Sequence, residues 1–214
     1  MTFSLNSAPR SLVKYNNQSV SAITEVGSGA GLQDAMVLIK TITADGSGTT
    51  VTFDSDIDST YPIYVFKFIN VHPSNDGVGL SVNFRDGSTA YNATKTTTFF
   101  YAEHREDDAS TAFALSTGDS LEQSTSAQKM AGNIGSANDE VGSGELWLFD
   151  PSSTTFVKNF FGKANECQAG DSRSANAFYA GYCNVTAAID GVQFSISAGN
   201  IDAGTFKMYG IKDS

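Results

Sequence analysis

The chain reads as an all-β protein: an antiparallel two-sheet sandwich, jelly-roll-like, with a barrel as the second choice. Three observations predict it. Apolar and polar residues alternate with period two in one run after another, clusters of Gly, Ser, Asn and Asp separate the runs, and almost no stretch carries the 3.6-residue repeat of a helix. The clearest example lies near the end of the chain, where Val192, Phe194 and Ile196 alternate with Gln193, Ser195 and Ser197. Phe206 and Met208 then flank Lys207. Between these runs Ala198-Gly199-Asn200-Ile201-Asp202-Ala203-Gly204 has the composition of a tight reversal, so the pair is expected to form a closing hairpin.

In chain order, residues 1–34 lack clean periodicity and include the Gly/Ser segment Gly27-Ser28-Gly29-Ala30-Gly31, which reads as an N-terminal arm or loosely attached edge segment. Residues 35–214 read as one β-sandwich domain. Met36–Thr43 and Thr50–Phe53 flank a Gly/Ser turn and suggest a hairpin. Tyr61–Val71 is apolar at both parities, as a strand covered on both faces would be, with Pro62 near its start where a missing N–H does least harm. Gly79–Arg85 alternates cleanly, and Thr96–Tyr101 is rich in Thr and aromatics. From about 102 to 143 the pattern loosens into an expected elaborated loop region, the natural place for contacts. Leu146–Phe149, Thr155–Lys163 and Phe178–Val185 resume the strand pattern.

Composition narrows the function. Charged residues are 17% of 214, the net charge is −10, and no basic stripe is present to displace counterions from phosphate, so nucleic acid is not an expected partner. No apolar run approaches the ~20 residues of a membrane-spanning helix. The first residues lack the basic and apolar regions of a secretory signal, so synthesis in a cytoplasm is expected. In that reducing setting Cys167 and Cys183 are expected as free or buried thiols, although a cross-strand disulfide stays open.

Candidate chemistry is sparse. Asp54, Asp56 and Asp58 offer alternating oxygens but lack the glycine and distal Glu of a calcium loop. Glu103, Glu106, Asp107 and Asp108 contain a possible carboxylate pair for glycoside hydrolysis, against the commoner reading of a charged loop. His72 sits in a turn-like segment before Pro73 and His104 in the charged cluster, both expected to be structural or exposed. Most aromatics fall at core parity, so packing is their first expected role, although exposed Tyr and Trp can stack on sugar rings. The residues therefore predict no catalytic, cofactor-binding or metal-binding residues and a non-enzymatic protein.

Several segments resemble a virion structural protein family of marine tailed phages, of cyanophage or pelagiphage type. They are Tyr61-Pro62-Ile63-Tyr64-Val65-Phe66, Leu80-Ser81-Val82-Asn83-Phe84, Gly144-Glu145-Leu146-Trp147-Leu148-Phe149-Asp150-Pro151, Ala180-Gly181-Tyr182-Cys183-Asn184 and the run from Gln193 to Lys212. The resemblance spans about residues 35 to 212. It implies a virion protein on the capsid or tail exterior, with other virion proteins and copies of itself as partners. The alternative it leaves is a tail-fibre adhesin module that binds a host surface glycan.

Overall fold

In the computed structural model, residues 35–170 and 173–212 are described, and the predicted arm at 1–34 lies outside them. The described chain forms twelve strands and no helix: β1 (Met36–Thr43), β2 (Thr50–Phe53), β3 (Ile63–Pro73), β4 (Val78–Arg85), β5 (Lys95–Arg105), β6 (Thr111–Leu115), β7 (Gln128–Ile134), β8 (Gly142–Phe149), β9 (Lys158–Gln168), β10 (Arg173–Cys183), β11 (Gly191–Ile196) and β12 (Ile201–Ile211). Every pairing is antiparallel. One four-stranded sheet runs β7-β4-β11-β2, and the other runs β1-β12-β3-β8 and continues through β9, β10, β5 and β6. The two are joined by a single bridge between Ile134 and Gln168, so the structure is nearly closed.

This is the predicted all-β jelly roll. In the eight-strand core (β1–β4, β7, β8, β11 and β12) successive strands lie in opposite sheets except β4 and β7, which pair with each other, and the β1–β2 ribbon lies along β12–β11. Both expected hairpins are therefore wrong in their pairing. β11 pairs with β4 and β2, while β12 pairs with β3 and β1. The reason is burial: β11 and β12 each have one apolar face, and placing them in opposite sheets turns those faces toward each other across the ~10 Å core. The two links meet at one corner, where Ala44 N donates to Gly204 O at 2.9 Å and Ile201 N donates to Gly48 O at 2.8 Å. Gly46 (φ 81°) and Gly199 (φ 70°) supply the left-handed backbone that the corner requires.

The core is aromatic. Phe194 of β11 lies 6.2 Å from Phe53, 6.0 Å from Phe66, 6.2 Å from Phe68 and 5.2 Å from Phe206, centroid to centroid. Tyr64, Val65 and Phe66 are all buried, as the two-faced pattern of β3 predicted. The elaborated region expected over 102–143 holds strands separated by turns: β5 continues to Arg105, and β6 and β7 lie within it. Short strands such as Thr111–Leu115 escape a pattern search because their partner β5 supplies the stabilising contacts. Nor do the aromatics all pack inward, since Phe113, Phe156 and Phe161 are exposed.

At one end of the extension two lysines are buried. Cys183 of β10 lies between Lys95 of β5 and Lys158 of β9 in one cross-strand row. Lys95 Nζ donates to Ser126 O at 2.7 Å, and Lys158 Nζ donates to Val185 O at 3.0 Å and Phe156 O at 3.2 Å. Among the described residues neither ammonium pairs with a carboxylate, and burial pushes Lys95 down from 10.5 to about 8. Between those values the unfolded chain holds a proton that the folded chain has released, so stability rises with pH. Relative to Lys95→Met, the wild type should gain on the order of 1–3 kcal/mol as pH rises from about 8 to 10.5. Urea denaturation at either end of that window checks this, and a pH-independent difference contradicts it.

Candidate ligand-binding cleft

The extension builds a cleft against β7. In the β5–β10–β9 ladder, Glu103, Ala175 and Glu166 share one row, and Tyr101, Ala177 and Ala164 share the next. Residues directly opposite on neighbouring strands project from the same face. Small alanines thus form a floor, with Glu103 and Tyr101 along one side and Glu166 along the other, about 10 Å away across two strand spacings. Lys129, Gly132 and Asn133 of β7 and Asp119 of the preceding loop complete a cleft of about 180 Å³.

Each acidic group in it is held in place. Glu103 pairs with Arg173 at 2.5 Å. Asp119 pairs with Lys129 at 2.6 Å and accepts from Ser116 Oγ at 2.7 Å. Glu166 is 4% exposed; both its oxygens lie 3.2 Å from the Asn133 N–H, and Gln168 Nε2 donates to Oε1 at 3.0 Å. Burial raises the Glu166 carboxyl above its ordinary range, opposed in part by the Gln168 and Asn133 bonds and by the Lys129 charge. The arrangement offers fixed acceptors and one ammonium around an apolar floor, which suits a small ligand bearing hydroxyl groups. Two wider depressions are more open: one of about 300 Å³ beside Asp45, and one of about 480 Å³ lined by His104, Glu106, Glu166 and Cys167 among others.

Of the residues considered from sequence, only Glu103 reaches this cleft. Glu106, Asp107 and Asp108 lie in the β5–β6 turn, where Asp107 accepts from Arg105 at 3.1 Å. Asp58 accepts from Thr60 N at 2.8 Å and from the Tyr64 hydroxyl at 3.1 Å, closing a local loop. No three His, Cys, Asp or Glu side chains among the described residues converge as metal ligands. His72 lies within β3 rather than in a turn. Its Nδ1 is 2.7 Å from Asp202 Oδ1 and its Nε2 is 3.2 Å from Ala137 O, so both ring nitrogens face acceptors and the imidazole pKa is raised. His104 is exposed and pairs with Asp108 at 2.8 Å. Cys167 and Cys183 are free thiols at opposite ends of the β9–β10 ladder.

Glu166 was missed, and a signal for it existed. Phe160, Gly162, Ala164 and Glu166 occupy the inward parity of β9, so a carboxylate stands where the alternation calls for an apolar residue. Compared with family models, with curated proteins and with solved structures, the chain matches none.

The raised Glu166 carboxyl has a measurable consequence. Above pH 4.5 the folded chain holds a proton that the unfolded chain has released, so ionisation of Glu166 costs stability as pH rises through its folded value. Glu166→Gln lacks this cost. Its melting temperature should rise relative to wild type by about 2–4 °C between acidic and neutral pH, read by calorimetry, whereas a constant offset would show that the buried carboxyl is not destabilising.

Proposed function

We propose that this chain is a non-enzymatic virion structural protein of a tailed phage, displayed on the capsid or tail and working through contacts with other virion proteins and with its own copies. The phage assignment draws on the family resemblance. The observation that carries the contact role is the outer face of the eight-stranded sheet. Leu38, Tyr209, Trp147, Phe161 and Ala180 lie in one cross-strand row from β1 to β10, interrupted on β3 by the buried Val65. Leu38 is 52% and Phe161 49% exposed, and Trp147 stacks on Phe161 at 6.1 Å. An apolar band on a sheet whose opposite face already holds the core is a surface suited to association, and repetition on a symmetric particle multiplies weak contacts. Gold-labelled antibody against this chain is expected to decorate intact particles of the phage that encodes it. Particles that stay bare while infected lysate contains the protein would sink the reading.

The cleft favours a second reading, a glycan-binding adhesin module. Tyr101 lines the cleft with an aromatic ring, and Glu103, Glu166 and Lys129 offer partners for hydroxyls. On this reading the purified chain binds neutral saccharides in titration calorimetry and Lys129→Ala weakens binding roughly tenfold. Absence of heat with every saccharide at millimolar concentration removes it.

A further inference from the structure

β6 is an edge strand: among the described residues it pairs with β5 alone. Its direction of hydrogen bonding follows from its ends. Arg105 N donates to Ser110 O at 3.1 Å and Ser116 N donates to Phe99 O at 3.0 Å, so residues of that parity turn their backbone groups toward β5. In an antiparallel ladder the direction alternates, which leaves the N–H and C=O of Thr111, Phe113 and Leu115 pointing away from the sheet. The same three residues carry the outward side chains, with Phe113 76% and Leu115 61% exposed. Phe113 also packs edge-on to Phe100 at 5.9 Å, and Phe100 stacks on Phe178 at 5.0 Å, so the exposed ring continues an aromatic surface.

Edge strands are ordinarily protected by charge, proline, a bulge or shortness. The other strands with a single partner among the described residues have such protection: β1 is bulged between Leu38 and Lys40 and carries Lys40, and β2 has only four residues. Thr111-Ala112-Phe113-Ala114-Leu115 has no charge, no proline and an unbroken register. We propose that β6 pairs antiparallel with β6 of a second copy about a twofold axis at Phe113. The occupant follows from self-complementarity. With Phe113 on the axis, Phe113 exchanges both bonds with its symmetry mate, and Thr111 and Leu115 exchange bonds with each other in both directions. The outward backbone groups of β6 are then satisfied and the exposed rings are brought together. Charge points the same way, because copies each bearing −10 repel and associate most readily along an uncharged strip. The dimer joins two eight-stranded sheets edge to edge, an isologous contact that closes on itself.

The proposal supplies the self-association assumed in the assembly reading above, but its test needs no particle. Sedimentation equilibrium of the purified full chain is expected to give a dimer at micromolar concentration, and Phe113→Lys to weaken it roughly 100-fold. Hydrogen exchange of the wild type provides a readout independent of any variant: the amides of Thr111, Phe113 and Leu115 should slow as concentration rises. A monomer at tens of micromolar, a dimer indifferent to Phe113→Lys in a folded variant, or exchange at these amides independent of concentration would each overturn the pairing. None of these results bears on particle labelling, and bare particles would leave the dimer standing.

Discussion

The contact of Phe194 with Phe53, Phe66, Phe68 and Phe206 is the constraint on which the rest of the structure depends. These rings come from β2, β3, β11 and β12, strands that belong to both sheets. Bringing them together forces the β1–β2 and β11–β12 ribbons to fold over the core instead of closing as local hairpins. The corner glycines and the Ala44–Gly204 and Ile201–Gly48 hydrogen bonds are the local consequence of that fold.

The four additional strands serve a different purpose. β9, β10, β5 and β6 lengthen one sheet beyond its partner, and their inner face packs partly on β7 while their outer face stays open. Where the inner face carries alanines rather than large apolar residues, the layers separate and leave the cleft of Glu103 and Glu166. Outward parity places Phe100, Phe178, Phe161 and Trp147 on the opposite surface. One extension thus creates both a small polar recess and a broad apolar face.

Buried polar groups mark the places where the extension meets the core. Lys95, Lys158 and Glu166 all stand at inward parity, and each is satisfied mainly by backbone groups. Carbonyls of Ser126 and Val185 hold the ammonium groups, and the Asn133 amide holds the carboxylate. Such contacts tether loops to strands, at the cost of desolvation that shifts all three groups toward their neutral forms.

Much was legible from residues alone. Period-two alternation identified β4, β11 and β12, and unbroken apolar runs identified β3 and β8, because burial leaves its signature in the chain itself. The same alternation marked Phe194 and Phe206 as core residues before their partners were known. What it left open was pairing. The turn segments at 44–48 and 198–204 are chemically suited to hairpins, and only the competing non-local ladders to β4 and β3 decided against them. The cleft was invisible for a related reason: Glu103, Asp119, Lys129 and Glu166 are far apart along the chain and meet only through the β5–β10–β9 register. Strand identity and inward faces were determined by the sequence, since burial acts residue by residue. Sheet order, the corner and the cleft were decided by tertiary structure, since backbone hydrogen bonds are alike in every strand and only the joint packing of all faces selects among pairings.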